Sequence, residues 1–358
     1  MSANIRPDQS FQAAAFNGFI HGLKGVWREE LYSNVVAEAR ETDANDVPEL
    51  ERAMAGSAQY EMYAWLERFT QQMSLVARWG AYNDLEPQMK KLSAQLDAAA
   101  AQHPERLNLD PALPLPSYLT EQETHQYLGG LWESDIGGYT LERLTEKASF
   151  SLNSPKRPLS WYAEFLRDTL KPSRILDLGC ARARGTRALK RAMPDTEIHG
   201  CDLCGPLLRL AHLRNIEEDL AITLWQRNAE DTNFDAANFD LVTSHWLIHE
   251  MPPAAIRNMI AEGWRLLQPG GTFAMYDMYL TPGGLIGKWL HAGYAARNNE
   301  PFAYSITNMD LKADLEAVGF TDVQVELSQL QATPEALRGE LPDGRLHYMS
   351  VITGRKPA

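Results

Sequence analysis

Cysteine is scarce and clustered. The three in the chain, Cys180, Cys201 and Cys204, fall within one short stretch, which excludes a fold stapled by disulfides. Cys201-x-x-Cys204 has no second cysteine pair to complete a tetrahedral zinc site, so it reads as two packed thiols. Long apolar runs are missing as well: none approaches the roughly 20 residues that span a bilayer, and Met1-Ser-Ala-Asn-Ile-Arg-Pro-Asp8 is no basic, apolar leader. A cytoplasmic protein with no membrane partner is therefore expected. Positive charge is in deficit, with 34 Lys and Arg against 47 Asp and Glu and a net charge of −13. That balance argues against nucleic acid as a partner, since phosphates need clustered cations to replace their counterions. No internal repeat and no phosphate-binding lysine motif occurs.

What is present divides the 358 residues into parts. Residues 8 to 103 are rich in Ala, Glu, Gln, Met and aromatics at helical spacing. Within them Met62, Trp65, Leu66, Phe69, Met73, Val76 and Ala77 form one stripe, expected to be core or a dimer seam. Pro111-Ala-Leu-Pro-Leu-Pro116 reads as a linker, the paired glycines of Asp135-Ile-Gly-Gly-Tyr139 as a bend, and Asn153-Ser-Pro-Lys-Arg-Pro158 as a second breaker. The expected division is a helical N-terminal domain over 1–116, a helical lid or linker over 117–158, and an α/β domain over 159–358.

From Leu159 the pattern changes to alternation. A helix to Leu170 leads into Arg174–Leu178, Glu197–Cys201, Ile222–Gln226, Phe239–Ser244 and Thr272–Met278, strands separated by the helical stretches Thr186–Ala192, Gly205–Ile216 and Ala254–Leu267. Such alternation implies a parallel sheet covered on both faces. Val323–Leu327 and His347–Thr353 lack a crossover helix between them and predict an antiparallel hairpin at one edge. The fold class is thus α/β: a Rossmann-like, seven-stranded, mostly parallel sheet with an antiparallel C-terminal hairpin, plus an all-α N-terminal domain.

The chemistry gathers at strand ends. Asp177-x-Gly179 closes the first α/β strand, where open sheets place ligands, and Asp202 closes the next, where a carboxylate can accept both hydroxyls of a ribose. Gly179 and Gly185 do not make Gly-x-Gly-x-x-Gly, which weakens a nicotinamide reading. After the fourth strand comes Ser244-His-Trp-Leu-Ile-His-Glu-Met-Pro252. If it opens a helical turn, His245 and His249 share a face, and either ring could take a proton near neutrality. The order His-x-x-x-His-Glu leaves Glu250 off that face, so no metal is expected here.

Four segments, taken in order, are similar to one family: Ile175-Leu-Asp-Leu-Gly-Cys180, His199-Gly-Cys-Asp202, Asn228-Ala-Glu-Asp-Thr-Asn-Phe234 with Phe239-Asp-Leu-Val-Thr-Ser244, and Trp264-Arg-Leu-Leu-Gln-Pro-Gly-Gly271. Across residues 159 to 354 the chain resembles the class I S-adenosylmethionine-dependent methyltransferases. The resemblance implies S-adenosyl-L-methionine as cofactor, with Asp177 and Gly179 near its methionine portion, Asp202 on the ribose and Asn228-Ala229-Glu230 facing the adenine. Cys180, Leu203, Ser244 and Tyr139 are taken as further parts of that wall. The chain departs from the family at Ala181 and Ala183, where glycines are common, and at Asn228, where Asp often stands.

For Arg182, and Arg184 beside it, capture of a carboxylate stands against a solvated loop or pairing with acidic groups. The segment Tyr279 to Asn308 is expected to be a lid over the transferred methyl. Trp246, His291, Asn299, Glu300, Tyr304 and Arg182 are the candidate acceptor contacts, and His249, His245 and Tyr279 the candidate catalytic residues. The implied activity is methyl transfer to a small-molecule acceptor, oxygen or nitrogen ahead of sulfur or carbon, in a homodimer. A cofactor-binding module without turnover and a nicotinamide oxidoreductase are the competing classes.

Overall fold

The computed structural model describes residues 6–145, 158–330, 334–341 and 348–358. Most of the breaker at 153–158 and the turn Pro342-Asp-Gly344 lie outside these. Eight strands form one sheet: β1 (Leu107–Asn108), β2 (Arg174–Leu178), β3 (Glu197–Asp202), β4 (Ile222–Gln226), β5 (Phe239–His245), β6 (Leu267–Asp277), β7 (Thr321–Leu327) and β8 (Ser350–Arg355). Their spatial order is β1-β4-β3-β2-β5-β6-β8-β7. All pairs are parallel except β6 with β8 and β8 with β7. The expected mostly parallel sheet with an antiparallel C-terminal edge is therefore present. The additional strand, β1, comes from the N-terminal region and pairs Leu107 and Asn108 with Leu224 and Trp225.

Side chains alternate across the sheet, as the two-residue period of a strand requires. Leu176, Val242, Phe273 and Met275 face the helices Pro253–Leu266 and Leu311–Val318. Ile175, Leu241, Ala274 and Tyr276 face the opposite side, against the helices Pro158–Leu170 and Arg184–Ala192. Strand order reverses between β2 and β5, so the loops leaving these two strands open a crevice at the switch point.

Two further cores join the added helices to this sheet. Leu92, Leu96 and Tyr139 pack on Leu210 and Leu213 of the helix Gly205–Glu217. Trp27, Tyr60 and Tyr63 pack on Trp289 and Leu290 of the helix Gly284–Asn298, which forms much of the 279–308 segment. That second contact replaces the expected stripe as the core face of its helix, while a dimer seam, the other expectation for the stripe, itself calls for exposed residues. In the helix Ala58–Val76 the buried positions are Tyr60, Tyr63, Leu66, Glu67, Thr70 and Leu75, while Met62, Trp65, Phe69 and Val76 are exposed. Arg297 is the reason: it bonds Glu67 and lies over the Tyr60 and Tyr63 rings at 5.7 and 5.5 Å, drawing the aromatic and acidic face inward. The expected bend at Gly137-Gly138 is a helix start. A Cβ on Gly138 would lie 2.8 Å from the Leu210 side chain, so this glycine serves close packing between helices.

Among the described residues no helix is long and apolar enough to cross a membrane.

Candidate active site

The loop after β2 turns because three residues adopt left-handed backbone: Gly179 (φ 65°), Ala181 (φ 48°) and Ala183 (φ 56°). Only the first is a glycine. The alanines follow a path that costs an L-residue roughly 1–2 kcal/mol each. Hydrogen bonds offset that cost: Ala181 N–H donates to Asp202 Oδ2 at 2.8 Å, and Ala183 N–H to the Cys180 carbonyl at 2.7 Å. Asp202 Oδ1 accepts from Cys204 N–H at 2.8 Å. Burial pushes the Asp202 carboxyl up to about 6, and these two amides pull against that shift. Each oxygen keeps a lone pair beyond its amide bond, a fit for a diol.

Beneath the loop, Asp177 is fully buried and off the cavity wall. Its Oδ2 accepts from Thr186 Oγ1 at 2.6 Å, and its Oδ1 faces His245 Nδ1 at 3.2 Å. Asp177 thus clasps β2 to the helix Arg184–Ala192 and to the end of β5. Gly185 makes room for this, since a Cβ there would sit 2.2 Å from the His245 ring.

The far end of the crevice is organised by Asp277, the last residue of β6. β5 ends at His245, and Trp246 (φ 53°) reverses the chain into the 3-10 turn Ile248–Glu250. Asp277 Oδ2 accepts from Leu247 N–H at 2.8 Å and Ile248 N–H at 2.9 Å. Its Oδ1 accepts from Met278 N–H at 2.7 Å and lies 2.6 Å from His249 Nδ1. His245 and His249 therefore do not share a helical face, contrary to the spacing argument. The strand end separates them, and each has its own aspartate.

His249 Nε2 is 3.5 Å from Glu250 Oε1. The same oxygen bonds His125 Nε2, and His125 Nδ1 is 3.1 Å from Glu300 Oε1. The result is a chain of alternating carboxylates and imidazoles: Glu300, His125, Glu250, His249, Asp277. Burial works against charge on these rings, yet the carboxylates outweigh it. Asp277 and Glu250 raise His249 well above its ordinary value, and Glu250 and Glu300 raise His125 to about 10. Burial likewise opposes ionisation of Glu250, but His125 and His249 hold it well below the usual carboxylate range.

One cavity of about 940 Å³ runs along both ends. Its wall brings together Gly179, Cys180, Arg182, Asp202, Leu203, Asn228, Ala229, His245, Trp246, His249 and Glu300 from the sequence expectations. Asn228 Oδ1 accepts from Glu230 N–H at 2.9 Å, which fixes its amide in a tight turn. Arg182 is buried and committed: it donates to Thr145 Oγ1 and lies 3.7 Å from Glu142 Oε1. Burial, with Arg184 and Arg187 nearby, lowers its guanidinium to about 9.

Other expected residues do not reach the wall. Glu230 turns outward to Tyr118 Oη and Asn258, at 2.9 Å each. Ser244 is enclosed within β5, between Leu178 and Met275 on the neighbouring strands. Tyr139 is buried in the helical core with Arg214 over its ring at 5.7 Å. The Tyr279 hydroxyl donates to the Met309 carbonyl at 2.7 Å, and His291 Nε2 lies 2.8 Å from the Ala303 carbonyl. Asn299 receives Arg68 at 3.3 Å, and the Tyr304 carbonyl accepts from Thr307 N–H within a 3-10 turn. Each is held by a nearer polar partner or by packing. Sequence reasoning missed His125, Glu142 and Asp277. Asp277 had a signal, a carboxylate at the carboxyl end of a parallel strand; His125 had none.

A family model described as a methyltransferase domain matches residues 175–271. The chain is 32% identical over 154 residues, 43% of its length and 69% of the relative's, to an uncharacterized methyltransferase of Synechocystis. It is 33% identical over 99 residues to demethylmenaquinone methyltransferase of Lactiplantibacillus plantarum, a match spanning 27% of this chain and 41% of that one. Among solved structures, phosphoethanolamine N-methyltransferase 2 of Haemonchus contortus, in complex with S-adenosyl-L-methionine, has a TM-score of 0.47 at 18% identity, covering 64% of this chain and 61% of that one.

Proposed function

The chain belongs to the class I S-adenosylmethionine-dependent methyltransferases, and from that premise we propose that it methylates a hydroxyl or amine of a small molecule held in the same cavity as the cofactor. The observation that carries this reading is the continuity of the cavity: loops able to hold the cofactor and the His125–Glu250–His249 cluster share one wall.

The residues present fit the cofactor. Gly179 brings bare backbone to the opening, Asp202 offers two partly used oxygens to a ribose, and Asn228 and Ala229 flank the place for an adenine. When bound, S-adenosylmethionine supplies a methyl group on a sulfonium that is already a good leaving group. What remains for the protein is alignment, which contributes most when the acceptor is held in line and water is excluded. His125 and His249 fix Glu250 from two sides, so its carboxylate can accept a hydrogen bond from an acceptor O–H or N–H and orient it, the proton passing to water as the methyl leaves sulfur because a carboxylate held this far down does not keep it. Tyr118 and Leu119 from the 117–120 helical turn, with Tyr294 and Glu300 from the 279–308 segment, line the same cavity.

The test is turnover of labelled cofactor with a panel of small phenols, alcohols, amines and a demethylated quinol, alongside calorimetric binding of S-adenosylhomocysteine. Glu250→Gln and His249→Gln are expected to abolish turnover of the accepted substrate while cofactor binding persists. Full activity in both variants would remove the cluster from the reaction.

A further inference from the structure

The His125–His249–Glu250 cluster has a geometry that an ion pair alone does not require. Its candidate ligand atoms lie within 4.8 Å of one another. Both imidazoles turn the same nitrogen, Nε2, toward Glu250, and both hand the other nitrogen to a second carboxylate: Nδ1 of His249 to Asp277 at 2.6 Å, Nδ1 of His125 to Glu300 at 3.1 Å. A carboxylate behind each ring is how metal-bound histidines are oriented and kept in the Nδ1–H tautomer, with the Nε2 lone pair directed at the ion. The two outer carboxylates are fully or almost fully buried, Glu300 at 0% and Asp277 at 1% exposure. Histidine 125 and residues 249–250 come from separate segments that meet at the cavity.

We propose that His125 Nε2, His249 Nε2 and Glu250 bind a divalent first-row transition ion of the zinc type, with its open coordination position facing the acceptor end of the cavity. Two nitrogens and one oxygen are a borderline donor set, suited to zinc and its neighbours and poorly suited to calcium or magnesium. Three protein ligands with one position left for water or substrate is the arrangement of catalytic sites, whereas structural sites are closed. In a tetrahedral site with bonds of about 2.0–2.2 Å, ligand atoms stand about 3.3 Å apart; the 3.5 Å between His249 Nε2 and Glu250 Oε1 is near this, whereas His125 Nε2 and Glu250 Oε1, in direct hydrogen-bond contact, must separate to admit the ion. The charges agree as well. Three carboxylates (Glu250, Glu300 and Asp277) are balanced to the same degree by two ring protons or by one divalent ion with neutral rings. An ion can thus replace the protons without leaving new charge uncompensated in a buried place. His245 is no part of this site; its third ligand is His125, which no local motif reveals.

This inference rests on reading the cavity as the active site, and the ion would draw the acceptor's oxygen or nitrogen to a fixed point beside the cofactor pocket. The experiment uses the full chain stripped with a chelator. Zinc is titrated by calorimetry, bound metal is counted after dialysis, and cobalt(II) is added for its visible spectrum. One ion per chain is expected, with a cobalt spectrum of nitrogen and oxygen ligands. His125→Gln, His249→Gln and Glu250→Gln should each abolish stoichiometric binding, and Asp277→Asn or Glu300→Gln should weaken it about 10–100-fold. S-adenosylhomocysteine binding reports that each variant is folded. Absence of stoichiometric binding in the wild type, or an intense thiolate-to-cobalt band pointing to Cys201 and Cys204, overturns the ion. In the first case, a Glu250→Gln variant that still loses turnover leaves the acceptor cluster standing without it.

Discussion

Replacing Asp277 by asparagine is the most demanding test of the site's construction. The carboxylate accepts four donors: Leu247 N–H, Ile248 N–H, Met278 N–H and the His249 ring, at 2.6 to 2.9 Å. An asparagine can present oxygen to only one pair of them. In one amide orientation its NH₂ meets the Leu247 and Ile248 N–H groups donor against donor; in the other it opposes Met278 N–H and forces His249 Nδ1 to give up its proton and accept. Two buried donors left unpaired cost about 1–3 kcal/mol each, and removing one member of a buried charged pair costs about 3–5 kcal/mol. These two figures describe overlapping effects, so the expected loss is about 4 kcal/mol, read from urea denaturation followed by circular dichroism. Asp322→Asn on the exposed strand β7 is the control, expected within about 0.5 kcal/mol of the parent. A loss below about 1 kcal/mol for Asp277→Asn, the range of an ordinary surface change, would refute the view that this carboxylate holds the turn 246–250 together.

Three other outcomes follow from the geometry. With the Asp202 carboxyl raised to about 6, it is ionised above that pH and protonated below, so calorimetric affinity for S-adenosylhomocysteine should be full at neutral pH and fall as pH drops through 6; a flat profile would detach Asp202 from the ribose. The same shift has the opposite sign for folding, adding stability as pH falls from about 6 toward the ordinary carboxylate value of about 4. Ala181→Gly or Ala183→Gly should raise the unfolding free energy from urea denaturation by roughly 1 kcal/mol each, because both alanines sit at positive φ; a decrease would show that the loop relaxes in solution. Gly185→Ala puts a methyl 2.2 Å from the His245 ring, and a cost of about 1–3 kcal/mol is expected, with the His245 ring resonances displaced in NMR; unchanged resonances would contradict the packing.

The strand-end part of the cavity wall was legible because it is local. Gly179, Asp202 and Asn228 each sit within a few residues of a strand's carboxyl end, and strands announce themselves by runs such as Ile175-Leu-Asp-Leu178. The wall around Glu250 was legible only in part. His249 and Glu300 were named, but their partners His125 and Asp277 lie far away in sequence, and no periodicity relates them. Aromatic and polar residues of the 279–308 segment misled for one shared reason. Tyr279 and His291 look like pocket residues on composition, yet packing gives each a nearer partner. As core, the stripe on Ala58–Val76 gave way similarly: hydropathy favours Met62, Trp65 and Phe69 for burial, whereas Arg297 reaches in from a distant helix and selects the face carrying Tyr60, Tyr63 and Glu67.

That docking of Gly284–Asn298 against the N-terminal helices has a wider consequence. Trp289 anchors the helix at one end of the contact and Arg297 at the other, and the chain then runs directly into Asn299 and Glu300, which meet His125. The common sheet thus carries the parts suited to the cofactor, and appended pieces carry much of what would meet the acceptor. Such a division lets selection exchange one inventory without disturbing the other. Changing the helices that bring Glu300 to His125 would alter the wall around Glu250 and leave Gly179, Asp202 and Asn228 at their strand ends.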